Sequence, residues 1–378
     1  MEANAKGAAF TLRQEKDTIF VTGDVTRETA PQLIKLLTED RIYTLDFAGV
    51  ERINFGGQRV LLHASQTGKK FNIVNAGVKV KATLSSTGVD TFISVLEKPV
   101  ELSMQGYEIF GGGFNGDSYY GADGDDMLKL YTQAASAAEC EQEKRYARTA
   151  FLAGIPTPLS GELVTADGRR GVTFERIQGK KSISRLLADN PDKIEQYAKD
   201  FAGLCQNLHR TPCNRAAFPS VDAIIRRVIL DLPAYSDKEK TAVLHFMDGI
   251  PETGTCLHGD LHIGNVIWTP DGDYLFIDMG DFGYGNPLLD LGMTYFVMRC
   301  PPAKMMDNVL HNTPETMAKF WNLFVKYYAG VETPEQVAAF TENVLPFVGL
   351  RAMFLMTKAR KDPLLVRVAR EFLLDKIM

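Results

Sequence analysis

The first hundred residues alternate between stretches typical of strands and stretches typical of short helices. The sequence predicts strands in AFTLR, TIFVTG, IYTLDFA and FNIVN, and the apolar residues of IYTLDFA occupy alternating positions. It predicts helices in PQLIKLLTED, GGQRVLLHASQTG and VKVKATLSSTG. Gly68 and Gly88 stand where two of these helices end, because glycine accepts the left-handed conformation there. Strands separated by short helices predict a mainly parallel or mixed sheet with helices packed on it.

The pattern changes after EKPVELSMQ, residues 97–105, where charges and a proline mark a domain boundary. Strands are predicted around Tyr119 and in MLKLY, with turn residues between them. Helices are predicted in AAECEQEKRYARTAFLAG, which ends at Gly154 before IPTP, and in IEQYAKDFAGLCQNLH. The final hundred residues predict further packed helices. The domain boundaries expected from this pattern are 1–98, a linker at 99–106, then 107–178 and 179–378.

Composition and charge exclude several classes of protein. The 378 residues have a formal net charge of −5, which gives no electrostatic reason to expect nucleic-acid binding. The five cysteines include no CxxC pair, which predicts reduced cytosolic thiols. The start MEANAKGAAFTLRQ has no apolar core, so we expect no signal peptide. No apolar run approaches the ~20 residues of a membrane span, so we expect a cytoplasmic protein without a membrane partner.

Two stretches of the N-terminal segment are informative: LDFAGVERINFGGQRVLL at 45–62 and FNIVNAGVKVKATLSSTGVDTFISV at 71–95. With the order of elements, they resemble the STAS domain, the fold of bacterial anti-sigma factor antagonists. In that family an Asp-Ser pair commonly precedes the glycine that begins the second helix, and a partner kinase can phosphorylate the serine. This sequence has Asn54 and Phe55 there, so a phosphorylation switch at this position is impossible. The resemblance implies a module for docking a protein partner or for dimerisation.

Residues 109–131, IFGGGFNGDSYYGADGDDMLKLY, contain a glycine cluster with the spacing GxGxxG at Gly111, Gly113 and Gly116. Alone, this spacing fits a dinucleotide fold, a loop over ATP or a flexible joint. A dinucleotide fold requires a helix directly after the loop, whereas strands are predicted here. A glycine loop between strands, with Lys129 on the next strand, is typical of protein kinases. We therefore expect this bare backbone to lie over the phosphates of ATP.

The segment 256–291, CLHGDLHIGNVIWTPDGDYLFIDMGDFGYGNPLLDL, contains HGDLHxGN, IDxGD and GxPxxDL. Together these motifs resemble the aminoglycoside phosphotransferase and choline kinase superfamily, whose members are relatives of the protein kinases. The resemblance extends from residue 107 to about residue 378. It implies a bilobal, protein-kinase-like fold with a mainly β small lobe and a mainly α large lobe. The fold class of the whole chain is then α/β plus α+β.

The same resemblance implies a site for ATP and Mg²⁺. Asp260 would accept or orient the proton of an attacking hydroxyl, and Asn265 and Asp278 would bind magnesium through hard oxygen atoms. The expected ATP contacts are Gly111, Gly113, Phe114, Asn115 and Gly116 at the phosphates, Lys129 with a glutamate partner, and the backbone from Glu175 to Ile177 at the adenine. His258 and Asp290 would support the catalytic loop. We expect no zinc, because Cys256 is the only further nitrogen or sulfur ligand near the two loop histidines.

Lys129 needs a carboxylate on the following helix to hold it. Glu139, Glu141 and Glu143 are the candidates, and for each the alternative is a solvated helix face. We select Glu143 by its distance from the helix end at GIPTP in related sequences.

These residues favour an ATP-dependent phosphotransferase that acts on a hydroxyl group of a small molecule, joined to a regulatory or docking module. The alternative is a non-catalytic nucleotide-binding pseudokinase that acts as a signalling regulator. Pseudokinases usually lose the lysine, the base or a metal-binding residue, whereas Lys129, Asp260, Asn265 and Asp278 all remain here. The enzyme is therefore the favoured interpretation.

Overall fold

The computed structural model describes residues 9–96, 99–113, 116–121, 126–133, 135–357 and 362–378. Phe114 and Asn115, two of the predicted phosphate contacts, lie outside these residues. The chain divides into two compact units. The first contains Met1–Thr149 and Leu159–Arg176, and the second contains Ala150–Pro158 and Ile177–Met378.

The first unit begins with a five-stranded sheet in the order β1-β2-β3-β4-β5. Strands β1 and β2 are antiparallel, and the remaining neighbours are parallel. The elements are β1 (Thr11–Glu15), β2 (Thr18–Thr22), α1 (Ala30–Ile34), β3 (Ile42–Gly49), α2 (Phe55–Gln66), β4 (Lys70–Val74), α3 (Val78–Ser86) and β5 (Val95–Leu96). Alternate residues of β3, including Leu45 and Phe47, are fully buried in its core. The predicted mixed sheet with packed helices is therefore confirmed.

Helix α1 differs from its prediction. The sequence predicted a helix through PQLIKLLTED, but the structure ends the helix at Ile34. The chain continues in turns because Leu37 is buried while its carbonyl oxygen accepts a hydrogen bond from Lys69 Nζ at 2.6 Å. A side chain distant in sequence thus satisfies a carbonyl group that a longer helix would have used.

A six-stranded sheet follows in the first unit, in the order β6-β10-β11-β9-β8-β7. Its elements are β6 (Val100–Glu101), β7 (Glu108–Gly113), β8 (Gly116–Tyr120), β9 (Asp126–Tyr131), α4 (Ala137–Leu152), β10 (Ser160–Ala166) and β11 (Arg169–Glu175). Helix α4 is followed by Gly154 with a φ of +84°, as the sequence predicted for its end. The glycine cluster lies in the β7–β8 hairpin, where Gly113 pairs with Gly116, and no helix follows it directly. The dinucleotide interpretation is therefore wrong.

The second unit is mainly helical. Its strands are β12 (Lys181–Ser182), β13 (Cys256–Leu257), β14 (Val266–Trp268), β15 (Tyr274–Phe276) and β16 (Gly283–Tyr284). Its helices are α5 (Ile183–Asp189), α6 (Ile194–Arg210), α7 (Val221–Asp231), α8 (Asp237–Asp248), α9 (Leu288–Arg299), α10 (Ala303–Leu310), α11 (Pro314–Ala329), α12 (Pro334–Leu355), α13 (Pro363–Ala369) and α14 (Asp375–Ile377). The apolar stripe predicted on α6 faces the core, with Phe201 and Cys205 fully buried.

Helix α12 corrects the expectation that no apolar run approaches a membrane span. By length and composition it could cross a membrane, since it has 22 residues and an 18-residue window of mean hydropathy 1.2. Half of that window (50%) is buried inside the fold, including Val348 and Leu350. We interpret α12 as a core helix of the second unit.

Candidate active site

Lys129 and Glu143 face each other within the first unit. Leu128 and Leu130 are buried on one face of β9, so the alternation of a strand turns Lys129 and Tyr131 to the opposite face. Tyr131 packs there with Cys140 of α4. The strand and the helix thereby bring Lys129 and Glu143 together.

The ion pair is close and mostly excluded from water. Lys129 Nζ lies 2.7 Å from Glu143 Oε1 and 3.0 Å from Oε2, and Tyr131 donates its hydroxyl proton to Oε2 at 2.7 Å. The Lys129 and Glu143 side chains are 14% and 9% exposed. Of the three candidate glutamates, Glu143 pairs with Lys129, and Glu139 accepts a hydrogen bond from Ser136 N at the start of α4. A lysine fixed in this way presents a positive charge at a defined place, as phosphate binding requires.

The glycines of the β7–β8 hairpin have different local environments. Gly116 has a φ of +155°, and a Cβ atom there would overlap the carbonyl group of Leu130. Gly111 lies opposite Ser118, and a Cβ atom there would meet nothing within 4 Å. The fold itself therefore requires glycine at 116, whereas it leaves open space beside Gly111.

This difference predicts opposite effects for two alanine substitutions. Gly116→Ala should destabilise the protein by roughly 1–3 kcal/mol, because it adds backbone strain and an overlap. Gly111→Ala should leave the thermal midpoint unchanged but weaken ATP binding by roughly tenfold, about 1.4 kcal/mol, if a phosphate approaches this backbone. Calorimetric unfolding and titration with an ATP analogue measure the two effects. Unchanged ATP affinity in Gly111→Ala would contradict phosphate contact at this glycine.

Of the predicted adenine contacts, Glu175 is the last residue of β11 and Ile177 follows two positions later. The backbone N–H of Glu175 donates to Leu159 O at 2.8 Å, and its carboxylate accepts from Leu159 N at 3.1 Å. Its own N–H is thus used within the first unit. A backbone contact of Glu175 with adenine would therefore use its carbonyl group.

The predicted catalytic loop, residues 258–265, begins directly after β13 in the second unit. His258 Nδ1 accepts a hydrogen bond from Asp260 N at 3.2 Å, so Nε2 bears the proton and donates to Ile277 O at 3.0 Å. Gly259 has a φ of +81°, and a Cβ atom there would overlap the carbonyl group of Asp281. The loop is thus tied to the chain beyond β15, and His258 is a structural support, as the resemblance implied.

Asp260 and Asn265 are joined by side-chain contacts. Asn265 Nδ2 donates to Asp260 Oδ2 at 3.1 Å and to Asp260 O at 2.9 Å. Among the described residues, no hydrogen-bond donor contacts Asp260 Oδ1. Asp260 is half-buried, so this oxygen can accept the proton of a hydroxyl group.

Asp278 is brought beside Asn265 by the β14–β15 hairpin. Val266 pairs with Phe276, and Ile277 N donates to Asn265 O at 3.0 Å. Asp278 then has left-handed backbone angles, φ 63° and ψ 61°, which are uncommon outside glycine and often mark functional positions.

The two oxygen-bearing side chains fit a hard cation. The amide nitrogen of Asn265 is directed at Asp260, so its carbonyl oxygen is the atom left for a metal. Asp278 supplies a carboxylate, and magnesium prefers such oxygens together with those of phosphate groups. No group of three or more His, Cys, Asp or Glu side chains suited to a metal occurs among the described residues.

Asp290 on α9 holds the start of the predicted catalytic loop through its carboxylate. Its Oδ2 accepts from His258 N at 2.7 Å and its Oδ1 accepts from Gly259 N at 2.9 Å. His209 Nε2 lies 3.2 Å from Oδ2, and both side chains are buried. Burial raises the pKa of Asp290, but the hydrogen bond and charge of His209 and the proximity of His258 outweigh it, so the pKa is lowered.

Arg351 is a further residue at this loop, and the sequence analysis did not identify it. Arg351 lies on α12 and is 1% exposed, and its Nη2 donates to Gly259 O. Burial lowers the pKa of Arg351, which the nearby carboxylates of Asp281, Asp260 and Asp290 oppose. The sequence could have indicated this residue, because Arg351 is the single charge within the apolar run LPFVGLRAMFL. A charge buried in such a helix needs a polar partner.

Comparison with known proteins gives a match over more than half of the chain. A model of the phosphotransferase enzyme family (APH) matches residues 106–317. An aminoglycoside phosphotransferase from Streptomyces rimosus, solved with ADP and streptomycin, is 18% identical, with 64% of this chain and 92% of that chain covered and a TM-score of 0.43. An ethanolamine kinase from Plasmodium vivax is 15% identical, with coverages of 70% and 80% and a TM-score of 0.45. No curated protein matches significantly.

Proposed function

Because this chain belongs to the phosphotransferase enzyme family, we propose that it transfers the γ-phosphoryl group of ATP to a hydroxyl group of a small molecule. The observation that supports this most directly is the catalytic loop. Asp260 is oriented by Asn265 and has an oxygen open to a hydroxyl. Asn265 directly precedes β14, and Asp278 follows β15, which pairs with β14. These are the residue types that phosphoryl transfer needs, since it depends on positioning and charge neutralisation.

In this proposal Asp260 acts on the acceptor. Its carboxylate accepts a hydrogen bond from the acceptor hydroxyl and receives the proton as the new oxygen–phosphorus bond forms. The bond between the γ-phosphorus and the oxygen of ADP breaks, and ADP leaves. Asn265 holds the carboxylate in place through the 3.1 Å hydrogen bond.

The remaining site residues are assigned to ATP binding. Lys129, held by Glu143, pairs with phosphate oxygens, and the backbone of the β7–β8 hairpin approaches the phosphates. Phe114 and Asn115 are also assigned to phosphate contact, and the segment from Glu175 to Ile177 meets the adenine. Asn265 and Asp278 hold Mg²⁺, which, when bound, neutralises negative charge on the phosphates.

The proposal also covers the organisation of the chain. Residues 1–98 form a STAS-like regulatory or docking module that binds a protein partner, and a linker covers residues 99–106. Residues 107–178 form the small lobe and 179–378 the large lobe of a kinase-like fold. The protein acts in the cytoplasm, consistent with five cysteines that are all free among the described residues.

A phosphorylation screen tests the proposal. The purified chain is incubated with γ-labelled ATP and Mg²⁺ against aminoglycosides, amino alcohols, sugars and hydroxy amino acids. We expect label to appear on at least one compound, and removal of the metal with EDTA to abolish that labelling. Magnesium-dependent ATP binding without labelling of any compound would support the pseudokinase, and the absence of ATP binding would contradict both functions.

A further inference from the structure

The two sheets of the first unit are connected by a very short segment. Strand β5 ends the first sheet at Leu96, and β6 begins the second at Val100, which pairs in parallel with Val164 of β10. At about 3.5 Å per residue, the connecting chain can span no more than roughly 15 Å. The N-terminal module, residues 9–96, is therefore held beside the second sheet.

A single arginine of α4 contacts the N-terminal module at two points. Arg148 Nη1 donates to Asp90 Oδ2 at 2.9 Å, and Nη2 donates to Ser85 Oγ at 3.0 Å. Ser85 lies in α3 and Asp90 in the following turn, so one guanidinium spans two consecutive segments. The Asp90 side chain is only 15% exposed, whereas that of Arg148 is 47% exposed.

The same helix holds Glu143 on a different face. Glu143 and Arg148 are five positions apart, which places them about 140° apart around a helix of 3.6 residues per turn. Glu143 is directed at Lys129 of the second sheet, and Arg148 is directed at the N-terminal module. Helix α4 is thus held from two sides, by Lys129 and by the N-terminal module.

We infer that the Ser85–Asp90 edge of the N-terminal module is an interaction surface for α4, and that Arg148 is a positioning residue for the Lys129–Glu143 pair. The inference rests on the proposed function, since it specifies how the ATP-binding lysine is kept in place. The contact supports the paired position of α4, so its loss lowers ATP affinity. A protein partner that competes for this edge would lower ATP affinity in the same way.

Hydrogen exchange and ATP binding in the full chain test this inference. Arg148→Ala should increase amide exchange in α4 and weaken binding of an ATP analogue by about fivefold, which is about 1 kcal/mol at 1.4 kcal/mol per tenfold. Arg148→Lys, which keeps the charge but not the two-point geometry, should give a smaller effect. Arg52→Ala is the matched control: it breaks the exposed ion pair with Asp24 inside the N-terminal module and should change neither measurement.

A double-mutant cycle with Asp90→Ala decides whether the contact itself is responsible. If Arg148 acts through Asp90, the double variant should bind ATP no more weakly than Arg148→Ala alone. Additive effects, or α4 exchange equal to that of the wild-type protein, would overturn the inference. Hydrogen exchange needs neither nucleotide nor turnover, so an absence of phosphoryl transfer in the wild-type protein would contradict the proposed function without deciding the exchange result.

Discussion

Asp260→Asn is expected to lower kcat for phosphoryl transfer by about 10²–10⁴-fold, the contribution of a well-placed general base. The asparagine side chain has the same shape but cannot take a proton from the acceptor hydroxyl. Its carbonyl oxygen can still accept the hydrogen bond from Asn265 Nδ2, so the loop should keep its conformation. The affinity for ATP should therefore change little, because the lost interaction forms only in the transition state.

Steady-state kinetics on the acceptor found by screening, together with titration of an ATP analogue, measures both quantities. Asp271→Asn is the matched control, since Asp271 is exposed in the turn between β14 and β15 and should behave as the wild-type protein. If Asp260→Asn retains most of the wild-type kcat, then Asp260 is not the base. If instead it loses ATP affinity in proportion to kcat, its role is in nucleotide binding.

Local patterns predicted the elements that position these residues. The strand-favouring residues of MLKLY predicted the strand that bears Lys129, and Gly154 with IPTP predicted the end of α4. The turn residues TPDGD lie in the hairpin that brings Asn265 beside the chain preceding Asp278. Each of these signals lies within a short window of sequence, where turn chemistry and periodicity determine the backbone.

Such local patterns could not predict contacts between segments that are distant in sequence. His209 and Asp290 are 81 positions apart, and Arg351 is 92 positions from Gly259. Arg148 and Asp90 are 58 positions apart, and each alone resembles an ordinary surface charge in the sequence. Helix α1 was predicted too long because the partner of the Leu37 carbonyl, Lys69, comes from 32 positions later. Tertiary pairing, unlike local propensity, depends on how the elements pack.

Asp290→Asn is expected to lower the free energy of unfolding by about 3–5 kcal/mol, because hydrogen bonds to a charged group contribute about 1.5–3 kcal/mol each and a buried donor left unpaired adds to the loss. The asparagine retains only one acceptor oxygen, whereas Asp290 accepts from His258 N, Gly259 N and His209 Nε2. Its amide nitrogen would point at a backbone N–H or at His209, so a buried donor would lack an acceptor. The catalytic loop should loosen at the same time, and kcat should fall with stability.

The lowered pKa of Asp290 also predicts in which direction its contribution to stability changes with pH. The pKa of Asp290 is lowered in the folded protein, so the stability it contributes is present above the unfolded pKa of about 3.9 and lost as pH falls through the folded pKa. The difference in unfolding free energy between wild type and Asp290→Asn should thus be large at neutral pH and shrink below about pH 4. Denaturant unfolding at a series of pH values measures it, with Asp271→Asn again as the exposed control. A difference of less than about 1 kcal/mol at neutral pH, the usual value of an exposed pair, would show that Asp290 does not support the loop through a buried charge.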